Sequence, residues 1–233
     1  MVRLKRLLAP KFWKIKKKIN KWVVTPSPGP HKKFECIPLL VLVRDVLNIV
    51  ENANEAKNII KNGEIVVDGR VIKLYKFPVG LMDVVSLPKL KRSYRIAPSG
   101  KGLKAIEISE EESKMKILKV ENKTVTKGRK IQLNLHDGRN MLVEKDIYKT
   151  GDSLLVELPS SKILKHVKLE AGNTALITKG KNVGDIVKIK EVIVRRSREP
   201  NKVICEIDNK KLEVIQQYIF VVGGEKPLLK VVE

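Results

Sequence analysis

Residues 59–72 read IIKNGEIVVDGRVI, and the N-terminal half of the chain takes its fold from how that stretch divides. Ile59 and Ile60 continue an apolar face begun by Ala56, which is helical spacing. Gly63 then closes the helix. Past it, EIVVDGRVI reads as a tight hairpin in which Asp68-Gly69 supplies the positive φ values of a two-residue turn. Upstream, Asn52 followed by Glu55 marks the start of the same helix as a capping box. In LVLVRDVLNIV (40–50), Leu42, Val46, Leu47 and Val50 recur at helical spacing and predict an amphipathic helix over 40–50. The sum is a compact α/β module over residues 39–90.

Before that module stands a segment of different chemistry, 1–38. Residues 1–35 hold Arg3, Lys5, Arg6, Lys11, Lys14, Lys16, Lys17, Lys18, Lys21, Lys32 and Lys33 against one acid, Glu35. Phe12, Trp13 and Trp22 are interleaved with them in a chain only 4% aromatic. Ammonium and guanidinium groups pair with phosphates, and flat rings stack on unpaired bases. The alternative is a short amphipathic helix whose Phe12, Trp13 and Ile15 pack on the protein itself. In TPSPGPHKKFE (25–35), Pro26, Pro28 and Pro30 hold Thr25, Ser27 and Gly29 extended. A stiff basic arm lying along a nucleic acid is the expected arrangement, with His31 near phosphate.

Downstream the pattern is β. KIQLNLHDGRNMLVEK (130–145) alternates through Ile131, Leu133 and Leu135, turns at Asp137-Gly138 and alternates again through Met141 and Val143. VICEIDNKKLEVI (203–215) does the same about Asp208-Asn209. Strands this short predict two small barrel-like domains, 91–168 and 169–233. TGDSLLV (150–156) and VGDIVKI (183–189) echo one another in Gly-Asp-x-apolar-x-apolar form. EISEEESKM (107–115) reads as an acidic linker or short helix, SGKG (99–102) as a basic turn, and His136 as an exposed neighbour of its hairpin turn. The fold class is α+β and multi-module.

Composition narrows the partner. The chain has 233 residues, and its 48 Lys+Arg against 26 Asp+Glu give a formal net charge of +22. Such an excess on a foldable chain points to a polyanion, with nucleic acid ahead of a membrane surface. The first residues form no secretory signal, and IPLLVLV (37–43) is broken by Arg44 and Asp45, far short of the roughly 20 apolar residues of a span. Cys36 and Cys205 have no further ligands at metal spacing and read as small packing residues of a protein in a reducing compartment. His31, His136 and His166 lie in different modules with no nucleophile or ligand carboxylate paired to them. No phosphate loop of Walker type is present. Arg44, Lys57, Lys61, Arg70 and Lys73 are the module's candidate phosphate contacts. Lys179, Lys181, Arg195, Arg196 and Arg198 are those of the last domain, where RNA or a neighbouring protein would serve equally.

The arm, KRLLAPKFWKI (5–15) followed by KWVVTPSPGPHKK (21–33), resembles the N-terminal signature of the archaeal and eukaryotic (e-type) small-subunit ribosomal protein four family. Residues 42–87 resemble the RNA-binding domain which that family shares with some pseudouridine synthases and tyrosyl-tRNA synthetases. The closing VGLMDVVSL (79–87) carries Met82-Asp83 where many relatives outside the e-type have Gly-Asp. Residues 172–198, GNTALITKGKNVGDIVKIKEVIVRRSR, are similar to a KOW motif, with Gly184 at its glycine position. The absence of a long tail after Glu233 leans towards the archaeal members. The resemblance implies a structural protein of the cytoplasmic ribosome that binds small-subunit rRNA and neighbouring ribosomal proteins. It implies no catalysis, no cofactor or metal, no small-molecule substrate, no membrane and no homo-oligomer. A pseudouridine synthase would need a separate catalytic domain, for which the modules leave no room. A free RNA chaperone or transcription factor is the competing reading, since KOW-like barrels occur in elongation factors. Specificity would come from RNA shape and from stacking by Trp13 or Trp22.

Overall fold

The structure, a computed structural model, describes residues 4–13, 15–16, 21–100, 102–126, 128, 130–195, 197–207 and 210–232. The chain forms two compact units, one of residues 1–97 and 101–114, the other of 98–100 and 115–233.

The first unit is built around the hairpin at Asp68-Gly69. Val66–Val67 and Arg70–Val71 pair antiparallel, with Asp68 at φ 50 and Gly69 at φ 75. Asp68 also reaches across the sheet: its amide donates to Val84 O (2.8 Å), and its Oδ1 accepts from Val84 N (3.0 Å). The sheet runs in the order Arg70–Val71, Val66–Val67, Val84–Leu87, Arg92–Ser99, Gly102–Ile108. It thus continues straight through residue 90. Helix Ala53–Lys61 lays Ala56 and Ile60 into the core beneath it, as the spacing predicts. Asn52 is its N-cap, but the Asn52 side chain donates to the Glu55 carboxylate (3.2 Å) and makes no backbone cap.

The helix expected over 40–50 is shorter and different in kind. Helical backbone runs from Leu39 to Val46, widening over Leu42–Val46 so that Leu47 N reaches Leu42 O (2.9 Å). Asn48 then takes φ 51 and ends it. Leu39, Leu40, Val41, Leu42 and Val43 are all at most 1% exposed, so this first part is enclosed on every side, and only Arg44 and Asp45 after it in the helix are part-exposed and polar.

Met82 stands at φ 64 with its side chain fully buried. A left-handed backbone costs a side-chain-bearing residue about 1–2 kcal/mol. Removing a buried methionine side chain costs about 2–5 kcal/mol. Burial wins, so Met82→Gly should lower stability by about 1–3 kcal/mol in spite of the relaxed backbone. Urea unfolding of the full chain reads this.

The second unit holds two five-stranded sheets. The first runs Asn140–Val143, Ile131–Leu135, Met115–Val125, Ser153–Glu157, Ile163–Val167. The second runs Lys210–Ile215, Lys202–Ile207, Ile186–Ile193, Thr174–Ile177, Ile219–Gly223. The predicted hairpin at Asp137-Gly138 is present, with Leu133 facing Met141 and Ile131 facing Val143. The turn at Asp208-Asn209 lies outside the described residues, though its two strands pair as expected. The Gly-Asp echo has a structural counterpart. Gly151 and Gly184 both take φ 96, each donates its amide to a carbonyl of an earlier strand (Val120 and Ile177, both 2.9 Å), and each leads into a strand. A Cβ is disfavoured at that φ, which is why glycine fills both positions.

Lys119, His136 and Phe220 are among the groups that join the two sheets of this unit. Lys119 Nζ donates to Gln217 O (2.9 Å) and Ile219 O (2.6 Å), its backbone N donates to His136 Nδ1 (3.2 Å), and the His136 ring stands edge-on to Phe220. His136 is therefore half-buried at a sheet contact and not an exposed turn neighbour. The acidic run forms a short helix, Glu110–Ser113, capped by Ser109 Oγ accepting from Glu112 N (3.3 Å). Cys36 and Cys205 are both free and buried, and burial pushes their thiols up to about 12 and about 11 respectively. Both pack as sequence suggests.

Candidate nucleic-acid interface

The arm does not run free. Leu4–Lys5 pairs with Trp22–Val23, and the guanidinium of Arg6 is taken up by the carbonyls of Ile15 and Lys16. Leu4, Ala9 and Trp13 enter the core of the α/β module. Trp13 is 2% exposed, stands edge-on to Phe12 and donates Nε1–H to Cys36 O (2.8 Å). The expectation of base stacking by Trp13 is thereby corrected: its ring is spent on the core, and its only polar atom on a backbone carbonyl. Trp13→Phe keeps the ring but leaves that buried carbonyl unpaired, at a cost of about 1–3 kcal/mol. The thermal midpoint of the full chain should fall accordingly.

The proline stretch is anchored as well. Ser27 donates its amide (2.9 Å) and its hydroxyl (3.1 Å) to Lys76 O. His31 is corrected in the same way as Trp13. It is only 9% exposed, with Nε2 at 3.0 and 2.9 Å from the two carboxylate oxygens of Asp83, one of which also accepts from Gly80 N (2.8 Å). Its ring lies so close over Gly80 that a Cβ there would stand only 2.4–2.6 Å from three ring atoms. An imidazole held this way does not reach phosphate.

What remains outward is basic. Lys5, Lys11, Lys16, Lys21, Lys32 and Lys33 are exposed. Trp22 is 42% exposed, with Lys21 Nζ 5.8 Å from its ring centroid, and Lys5 lies opposite it across the strand pair. On the module, Lys61, Arg70 and Lys73 are exposed and Lys57 is half-buried. Lys57 and Lys76 each place Nζ 5.6 Å from the centroid of Tyr75. Arg44 is drawn back by Asp45, 2.8 Å away, which offsets its charge. In the second unit Lys179, Lys181, Arg195 and Arg198 are exposed, and Arg195 also contacts Glu199. Arg3, Lys14, Lys17, Lys18 and Arg196 lie outside the described residues.

Sequence reasoning passed over Tyr75, Lys76 and Phe34. A signal was available, because each aromatic sits beside a lysine in the chain, as Trp22 does. The module's contribution is thus a set of ammonium groups held on a rigid sheet and helix, with rings among them: an arrangement suited to phosphate and base, with no group placed for bond-making chemistry. Among the described residues no cluster of metal-ligating side chains occurs, and no helix is long and apolar enough to cross a membrane.

Comparison with known proteins shows the family. Residues 3–34 match the RS4NT domain, 38–85 the S4 domain and 90–163 the ribosomal family S4e. The chain is 48% identical to small ribosomal subunit protein eS4 of Methanocaldococcus jannaschii, over 97% of this chain and 96% of that protein. It is 49% identical to the eS4 of Archaeoglobus fulgidus, again over 97% and 96%. The crystal structure of the 30S ribosomal protein S4e from Thermoplasma acidophilum superposes with a TM-score of 0.72 at 31% identity, covering 82% of this chain and 96% of that one. Similarity of this degree along the whole length leaves one assignment: the chain belongs to the S4e family of ribosomal proteins.

Proposed function

We propose that the chain is a structural constituent of the small ribosomal subunit, where it binds small-subunit rRNA, holds it folded and so supports translation in the cytoplasm. The observation that carries this is the near-complete alignment with proteins of that name, on a chain whose net charge of +22 is displayed on exposed lysines and arginines. Phosphate contacts position the protein. Those we assign are Lys5, Lys11, Lys16, Lys21, Lys32 and Lys33 on the arm, Lys57, Lys61, Arg70 and Lys73 on the module, and Lys179, Lys181 and Arg195 in the second unit. Trp22 is the stacking residue of the original pair. Residues 169–233 act as a KOW-type domain, its Gly184 turn presenting Lys179 and Lys181 to RNA or to a neighbouring ribosomal protein. The role is non-catalytic.

Ultraviolet cross-linking of purified small subunits, followed by mass spectrometry, tests these contacts. Nucleotide adducts are expected on peptides containing Trp22, Lys32-Lys33 and Lys57–Lys61. Adducts on other proteins of the subunit, with none on this chain, would contradict the reading.

A further inference from the structure

Phe34, 71% exposed, is the most exposed aromatic ring among the described residues of a chain only 4% aromatic. Its setting is rigid. Glu35 N closes a turn on Lys32 O (2.9 Å), and Cys36 Sγ lies 3.7 Å from Lys33 O. The turn is held at both ends by buried groups: His31 on Asp83 before it, and Cys36 O under Trp13 Nε1 after it. An apolar ring carried on a loose loop can fold back onto the surface. Here the anchors hold Lys32, Lys33, Phe34 and Glu35 outward, and all four are exposed.

The chemistry of the tip identifies what it meets. Lys33 Nζ stands 5.8 Å from the Phe34 centroid, the same distance and the same order in the chain as Lys21 and Trp22. An apolar protein pocket closing over Phe34 would have to desolvate the Lys32 and Lys33 ammonium groups as well, at a cost that only well-placed acids could offset. An unpaired nucleotide meets both demands at once, since its base offers a flat face and its phosphate a negative charge. Resting on the rRNA-binding reading above, we infer that the Lys32–Glu35 turn is a nucleobase-stacking site: Phe34 stacks an unpaired rRNA base, and Lys32 and Lys33 hold the flanking phosphates.

The test is filter binding of the full chain to in-vitro-transcribed small-subunit rRNA across a salt series. Phe34→Ala should weaken binding roughly 5- to 100-fold, the range of base–aromatic stacking, with the slope of log affinity against log salt unchanged. Phe34→Trp should restore it. Lys33→Met should instead reduce the magnitude of that slope by about 0.7–0.9. The exposed ring carries little of the fold, so thermal midpoints of the Phe34 variants should match the parent. Parental affinity in Phe34→Ala would overturn the inference. So would parental affinity for rRNA combined with loss from assembled subunits, which would make the turn a contact for a neighbouring protein. Failure of the parent chain itself to bind the rRNA would overturn the proposed function, a result distinguishable from either.

Discussion

Between 50 and 200 mM salt, the full chain is expected to lose roughly 10³–10⁵ in affinity for small-subunit rRNA, on the scale set by duplex nucleic acid with six to ten neutralised phosphates. The exposed cations are numerous enough: among the described residues, six on the arm and four on the module, Lys61, Arg70, Lys73 and the Glu64-paired Lys89, before the second unit is counted. Not every cation contributes. Arg6 is occupied by arm carbonyls and Arg44 by Asp45, so neutralising either should leave the salt slope near its parental value. Neutralising Lys61 and Lys73 together should lower it by about 1.4–1.8. A salt-independent affinity would mean that apolar contacts, and not phosphates, carry the binding.

Asp137→Ala is expected to cost about 3–5 kcal/mol of stability, because it takes one carboxylate away from a buried ion pair of the second unit. Lys116 and Asp137 have side chains 0% and 1% exposed and face each other at 3.2 Å. Arg139 Nε adds a contact at 3.1 Å, and the Arg139 amide donates to Asp137 Oδ1 (3.1 Å). Without the carboxylate, the Lys116 ammonium keeps its desolvation penalty and loses the attraction of Asp137. Replacing both partners, as Lys116→Met with Asp137→Leu, should recover much of the loss, since apolar groups of similar volume incur no such penalty. Arg139, itself part-exposed, can turn to solvent.

The same pair sets an acid dependence. Burial alone would raise the Asp137 carboxyl, but Lys116, then His136 and Arg139, outweigh it and hold the group below its ordinary 3.8. A carboxyl lowered in the folded state stabilises fully above its unfolded value, and that contribution is lost as pH falls through the folded one. Parent stability should therefore drop as pH falls below about 4. The difference between parent and Asp137→Ala should shrink over the same interval. A difference that stayed constant with pH would show that the ionised carboxylate is not what holds the turn.

What sequence made legible was local. The Asp68-Gly69 hairpin, the helix Ala53–Lys61 and the Asp137-Gly138 hairpin depend on residues within a few positions of one another, and each forms where spacing and turn chemistry place it. The role of each side chain was less accessible, because burial is set by distant partners. Trp13 meets a carbonyl 23 residues away and His31 a carboxylate 52 away. Nothing near either residue in the chain announces that partner. Asp137 was readable as a turn residue, while its buried partner, Lys116, lies 21 residues upstream on another strand. The run 40–50 reads as an amphipathic helix because Leu42, Val46, Leu47 and Val50 admit a helical period, but Leu39–Val43 are enclosed on every side and need no polar face. The basic character of the candidate interface was plain in composition. Which aromatics face outward was not: the anchoring of the arm buries Trp13 and leaves Trp22 and Phe34 exposed.

Sedimentation of a cell lysate through a sucrose gradient in stringent salt, with this chain followed by immunoblot, tests the central claim most directly. The account predicts co-sedimentation with the small subunit at close to one copy per particle. Recovery of the chain only at the top of the gradient would contradict it and leave a free RNA-binding factor in its place.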